Sequence, residues 1–168
     1  MPRLAPIVLV LLLAACGSSS NSTTSSSAPP PQQTTPDPAA SIGGKTLYRG
    51  GAWAVVVDGS HAVALHLTGR RWRPDRSGSV KVEFLGPHST AAPIPQVAAQ
   101  LSAKSPLVES ALWVDGQELT AKGGGLTPTR GTIYGAPTAQ LAKGEHVAVA
   151  YARTATAATA VARPFLVK

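Results

Sequence analysis

The chain has 168 residues and is basic, with 15 Lys and Arg against 8 Asp and Glu and a formal net charge of +7. It holds one cysteine, Cys16, so no intrachain disulfide can form. Once the opening stretches are set aside, its length fits one folded domain and leaves no comfortable room for two.

Met1, Pro2 and Arg3 give a short positive start, and residues 4–15 form an uninterrupted apolar run that ends in small residues. This is the layout of a secretory signal peptide over residues 1–15. As a helix the run would reach roughly 18 Å, short of the ~30 Å hydrocarbon core, so it reads as a leader and not as a membrane span.

The leader closes on Leu13-Ala14-Ala15-Cys16. That ending resembles the lipobox of bacterial lipoproteins, in which the cysteine receives a diacylglyceryl group and becomes the first residue of the mature protein. The resemblance implies lipidation of Cys16 and an extracytoplasmic protein, held to the outer face of a membrane by its lipid. Two or more acyl chains make such attachment stable where one is marginal.

Residues 17–41 are rich in Ser, Thr, Pro and Gln and contain no Val, Leu, Ile or aromatic side chain. Such a segment buries too little apolar area to offset its ordering entropy. A disordered tether is expected over residues 16–42, spanning roughly 25 to 30 Å as a random coil.

Residues 43–168 lack any long window with apolar residues at a 3.6 period, and show short alternating runs bounded by turn residues. The expected fold is all-β, a sandwich of about eight or nine strands. Two Val-Asp-Gly tripeptides mark hairpins. With Asp58-Gly59 as the turn, Val57 faces Ser60 and Val55 faces Ala62, while Val56, Val63, Leu65 and Leu67 share the other side. With Asp115-Gly116 as the turn, Leu112 lies opposite Leu119. Along residues 80–84, Val80, Val82 and Phe84 should face the core, with Lys81 and Glu83 in water. Strands are also expected over 96–103, 131–134, 146–153 and 159–167, and Pro164 argues that the last lies at an edge or carries a bulge.

From about Pro93 onward the order of elements resembles a bacterial immunoglobulin-like domain. The resemblance rests on a strand through Val97 to Leu101, then Leu112-Trp113-Val114-Asp115-Gly116, then Leu141-x-x-Gly144-x-His146 leading into Val147-x-Val149-x-Tyr151, and a closing strand ending Phe165-Leu166-Val167. It implies an Ig-like sandwich over 93–168, with Trp113 as the core tryptophan. Residues 43–90 would add strands to that sandwich or form a small β unit packed against it.

Chemistry-bearing patterns are sparse. His61 and His66 are five apart on one expected strand, so they point to opposite faces, and neither His88 nor His146 sits in a ligand motif. No metal site and no cofactor is expected. There is no Gly-x-Ser-x-Gly elbow, and Gly123-Gly124-Gly125 is followed by Leu126-Thr127-Pro128 where a P-loop needs Lys-Ser/Thr. That run reads as a flexible sheet connection. No catalytic residue is assigned, and an enzyme is not expected.

The stretch with functional colour is Arg70-Arg71-Trp72-Arg73-Pro74-Asp75-Arg76, followed by Lys81. Removing Arg3 with the leader leaves 14 basic against 8 acidic residues, a net of +6. Guanidinium groups pair with phosphate or carboxylate while an indole stacks, which suits an anionic partner. Export disfavours nucleic acid and favours an envelope polyanion or a protein. The plainer reading is a solvated loop whose Trp72 packs down. The expected function is therefore a membrane-anchored, non-catalytic binding or structural module of the cell envelope. An accessory module of a cell-wall enzyme system, or a metal-handling lipoprotein using His61, His66, His88 and His146, is the alternative.

Overall fold

The computed structural model describes residues 35–168, apart from the side chains of residues 125 and 126. The leader, Cys16 and residues 17–34 lie outside the described residues. Sheet A contains β1 (Lys45–Gly50), β2 (Trp53–Asp58), β3 (His61–Thr68) and β4 (Arg71–Pro74), in that order. Sheet B runs β10 (Lys122–Thr127), β11 (Arg130–Gly135), β7 (Val97–Ala103), β5 (Val80–Gly86). Sheet C runs β6 (Thr90–Ala91), β13 (Ala158–Val167), β12 (Gly144–Thr154), β8 (Leu107–Val114), β9 (Gln117–Glu118). All neighbours pair antiparallel except β6 with β13.

The protein is a β-sandwich of sheets B and C, with sheet A packed on the far side of C. Alternation along β12 explains the layering. Ala148, Ala150 and Ala152 point to sheet B and join Val80, Phe84, Val97, Leu101, Leu112, Ile133 and Phe165 in one core. Val149 and Tyr151 point the other way, joining Ala111 and Trp113 of sheet C and Trp53, Val55 and Ala64 of sheet A in a second. Both faces of C are therefore dry, and the small Ala side chains let B approach closely. Of residues 43–91, β1–β4 form sheet A, whereas β5 pairs with β7 and β6 with β13 in sheets B and C.

Thirteen strands form where eight or nine are expected, and the four that the sequence does not announce are intelligible. β6 has two residues, too few to show a period. β10 contains the glycine run, which pairs Gly123 with Ile133 and Gly124 with Thr132 and is a strand where a flexible connection is expected. β4 carries the arginines. β1 has a bulge between Thr46 and Tyr48 that breaks its alternation.

The hairpin at Asp115-Gly116 has the expected register, with Val114 opposite Gln117 and the Leu119 amide donating to the Leu112 carbonyl at 2.8 Å. Asp115 and Gly116 have φ of 51° and 83°, as a type I′ turn requires. The first hairpin differs. Asp58 pairs with His61, Val57 with Ala62, Val55 with Ala64 and Trp53 with His66, so the turn is Gly59-Ser60. Only Gly59 of that pair has positive φ, the pattern of a type II′ turn with Gly first. Each partner moves by two residues, which leaves the faces unchanged. β13 is free at its outer edge along most of its length, since β6 meets only Leu166 and Val167, and Pro164 lies on that free stretch.

A third apolar cluster covers the outer face of sheet A: Ala54, Val56, Leu65 and Trp72, flanked by Ala39, Val63 and Leu67. Its cover is the segment that precedes β1, in which Pro38 is buried and Ala39–Ser41 forms one 3-10 turn. The segment expected to close the tether at residue 42 is in this part a strap across the sheet.

Candidate functional site

Alternation along β4 decides what the arginine stretch presents. Trp72 pairs with Leu67 and points to the outer face of sheet A, where it is 4% exposed and donates its indole N–H to the Pro36 carbonyl at 2.7 Å. It is a packing residue and offers no stacking platform to a ligand. Arg71 and Arg73 alternate with it and are exposed, as is Arg70 in the β3–β4 turn.

Register then separates the remaining members. Arg73, His66, Trp53 and Gly50 form one row across sheet A, and Arg71 pairs with Thr68 one step nearer the turn. This end of the sheet holds the β1–β2 and β3–β4 turns. Arg76 follows β4 away from it, and Lys81 belongs to sheet B. Arg49 of β1, which the sequence reading missed, belongs here. It is exposed, its guanidinium carbon is 5.7 Å from the centre of the Trp72 ring, and Nη2 donates to the Thr35 carbonyl at 3.4 Å. Its partner across the sheet cannot be inferred from a lone Tyr48-Arg49-Gly50, so nothing in the sequence joins it to residues 70–73.

No carboxylate among the described residues forms an ion pair with this group. Among the described residues the ion pairs are His146 with Asp115 and Arg153 with Glu109. Asp75, the one acid within the arginine stretch, is spent on backbone amides: Oδ1 accepts from Ser77 at 2.8 Å and Oδ2 from Ala158 at 2.6 Å. It thereby ties the chain after β4 to the start of β13.

Lys81 lies in a different polar surface. It stands opposite Ser102, which stands opposite Arg130, so the three form one row across β5, β7 and β11. Glu83 and Gln100 fill the next row, and together these residues line a shallow groove on the outer face of sheet B.

One polar cluster joins two layers, and a second fixes a turn of sheet C. Glu109 of β8 accepts from the Tyr48 hydroxyl and from Arg153 Nε, each at 2.5 Å, joining sheets A and C. Burial, then the Glu109 hydrogen bond and charge, raises the Tyr48 pKa above its ordinary value. Burial works against the Arg153 charge, and Glu109 outweighs it, so this guanidinium is held more firmly protonated than usual. The Tyr48, Tyr151 and Trp113 rings pack beside the cluster, with centres 5.5 to 6.5 Å apart. Trp113, the tryptophan of the Ig-like resemblance, therefore faces sheet A and not the B–C core.

At the second cluster His146 Nδ1 meets Asp115 Oδ2 at 2.6 Å and Nε2 meets the Ala142 carbonyl at 2.8 Å. Both contacts are acceptors, so both ring nitrogens donate only in the imidazolium form. The Asp115 hydrogen bond, then that of Ala142, raises the His146 pKa above its ordinary value. Asp115 Oδ1 also accepts from the Val147 amide at 2.9 Å, which fixes the β8–β9 turn to β12.

The four histidines are dispersed. His61 opens β3, His66 stacks on Trp53 with ring centres 4.4 Å apart, His146 is tied to Asp115, and His88 lies in the β5–β6 connection. Among the described residues no three His, Cys, Asp or Glu side chains are placed to share a metal ion, and no helix is long and apolar enough to cross a membrane. No protein-family model matches this chain, and no curated protein is similar to it.

Proposed function

We propose that the protein is a lipid-anchored, non-catalytic module of the cell envelope, displayed on the outer face of a membrane through Cys16. The B and C sheets are read as its Ig-like part, and the end of sheet A as its binding face for an anionic partner. One observation carries the binding reading: Arg49, Arg70, Arg71 and Arg73 gather at one end of sheet A with no acidic partner among the described residues. Arg49 is held by Thr35 and Trp72, and the solvated guanidinium groups of Arg70, Arg71 and Arg73 are suited to a partner's phosphates or carboxylates. The leader and Leu13-Ala14-Ala15-Cys16 support the anchor.

The anchor is tested in a bacterial host fed labelled fatty acid. The wild-type chain should carry label and sediment with membranes, whereas Cys16→Ala should lose both. Equal label in the two would overturn the lipid assignment.

A further inference from the structure

We infer that the arginine end of sheet A docks on the anionic headgroups of the same membrane that holds the lipid anchor, with the strap setting the orientation. The inference rests on the anchor reading above and adds the partner. Its starting point is where the strap begins. Thr35 is held by Arg49 and Pro36 by Trp72, at the end of the sheet with the β1–β2 and β3–β4 turns. Asp37 then accepts from Thr46 Oγ1 at 3.1 Å, and Thr46 stands opposite Val56 and Val63, so the strap runs from the arginine end toward the other. The chain that leads back to Cys16 therefore leaves the domain beside Arg49, Arg70, Arg71 and Arg73.

Distance favours the membrane over a free partner. About 18 residues separate Cys16 from Thr35, which bounds the reach at about 60 Å when fully extended. Within that radius a weak electrostatic contact becomes intramolecular and is strengthened by effective concentration. Charge favours it too. The carboxylates of the strap and sheet A, Asp37 and Asp58, lie toward the other end, where Asp58 pairs with His61 at the β2–β3 turn. The exposed large apolar side chains, Ile42, Leu85, Ile94, Val108 and Leu166, are all outside residues 49–53 and 67–73. The contact is therefore with headgroups, guanidinium fork on phosphate, without insertion into the acyl layer.

The test uses the chain from Gly17, which keeps all three apolar clusters and lacks the lipid. Vesicles are phosphatidylcholine alone, or phosphatidylcholine with a third replaced by phosphatidylglycerol. Co-sedimentation at low salt should occur with the anionic vesicles only and fall as salt is added. Each arginine near an anionic surface contributes about five-fold, so R70Q/R71Q/R73Q should weaken binding about a hundred-fold. The charge-matched control K81Q/K104Q/R130Q, around the groove lined by β5, β11 and Lys104 just after β7, should weaken it less than about three-fold. Neither triple removes a hydrogen bond or ion pair seen in the structure, and matched circular dichroism and melting curves confirm that both fold.

Equal losses in the two triples would reduce the effect to net charge and overturn the inference. Equal binding to neutral vesicles would do the same, as would full competition by millimolar inorganic phosphate, which would assign the arginines to a free anion. Absence of fatty-acid label on the wild-type chain would overturn the anchor and with it the shared membrane, while the headgroup contact is decided separately, because the vesicle experiment does not use Cys16.

Discussion

The indole N–H of Trp72 donates to the Pro36 carbonyl at 2.7 Å, so a residue of the arginine stretch fastens the segment that leads into the domain. The same ring closes the third apolar cluster against Ala54, Val56 and Leu65. Packing and the exit path of the chain are thus decided by one side chain.

Trp72→Ala should destabilise the protein by about 3–5 kcal/mol through lost burial, and Trp72→Phe by about 1 kcal/mol through the lost hydrogen bond. Denaturant unfolding measures both. Limited proteolysis gives a second readout: cleavage within residues 35–42 should speed up in Trp72→Phe while the sandwich stays intact. Unchanged cleavage would mean that the strap is held by other contacts.

Glu109 bonds Tyr48 on one oxygen and Arg153 on the other. Its side chain is 27% exposed and that of Arg153 25%, so solvent screens part of the interaction. Glu109→Ala is expected to cost about 1–2 kcal/mol, and a double-mutant cycle with Arg153→Ala should show coupling below about 1 kcal/mol. Additive losses would show that the two residues act independently.

His146 supplies a pH dependence with a definite sign. Its folded pKa is raised, so the stability it contributes is fully present below the ordinary value of 6.5 and is lost as pH rises through the folded value. Melting temperature measured from pH 5 to pH 9 should therefore fall across neutrality in wild type, and more shallowly in His146→Gln. Parallel curves for the two would remove His146 as the titrating group.

Tyr151 and Ala150 probe the two faces of sheet C. Burial, then the charge of Glu109, pushes the Tyr151 phenol well above its ordinary pKa, and its hydroxyl is buried with no hydrogen-bond partner among the described residues. Tyr151→Phe should thus be neutral or stabilising by up to about 1 kcal/mol. Ala150 is fully buried against sheet B, and Ala150→Val should cost about 1–3 kcal/mol by overpacking. Thermal unfolding of the two variants separates these expectations by sign.

Local pattern in the sequence was enough for the strand-rich class, the inward faces of Val80, Val82 and Phe84, the register at Asp115-Gly116 and the edge position of Pro164. Each depends on neighbours within a few residues, or on a turn whose dihedral demands allow few side chains. The first hairpin marks the limit. Asp58-Gly59 and Gly59-Ser60 both make acceptable two-residue turns, and the one that forms is the one that sets Trp53 opposite His66, where the two rings stack. Parity preserved the faces and lost the partners.

The third layer and the composition of the arginine face were decided by tertiary structure alone. That Ala148, Val149, Ala150, Tyr151 and Ala152 are all buried follows from sheet A lying on the second face of C, a long-range packing choice with no local period to announce it. Trp72 is buried because the apolar outer face of sheet A needed covering, and Arg49 comes to the same end as Arg70, Arg71 and Arg73 because β1 finishes and β4 starts where the β1–β2 and β3–β4 turns lie. Sequence specifies charge and local alternation, while burial of apolar area over the whole chain decides which charges come to share a surface.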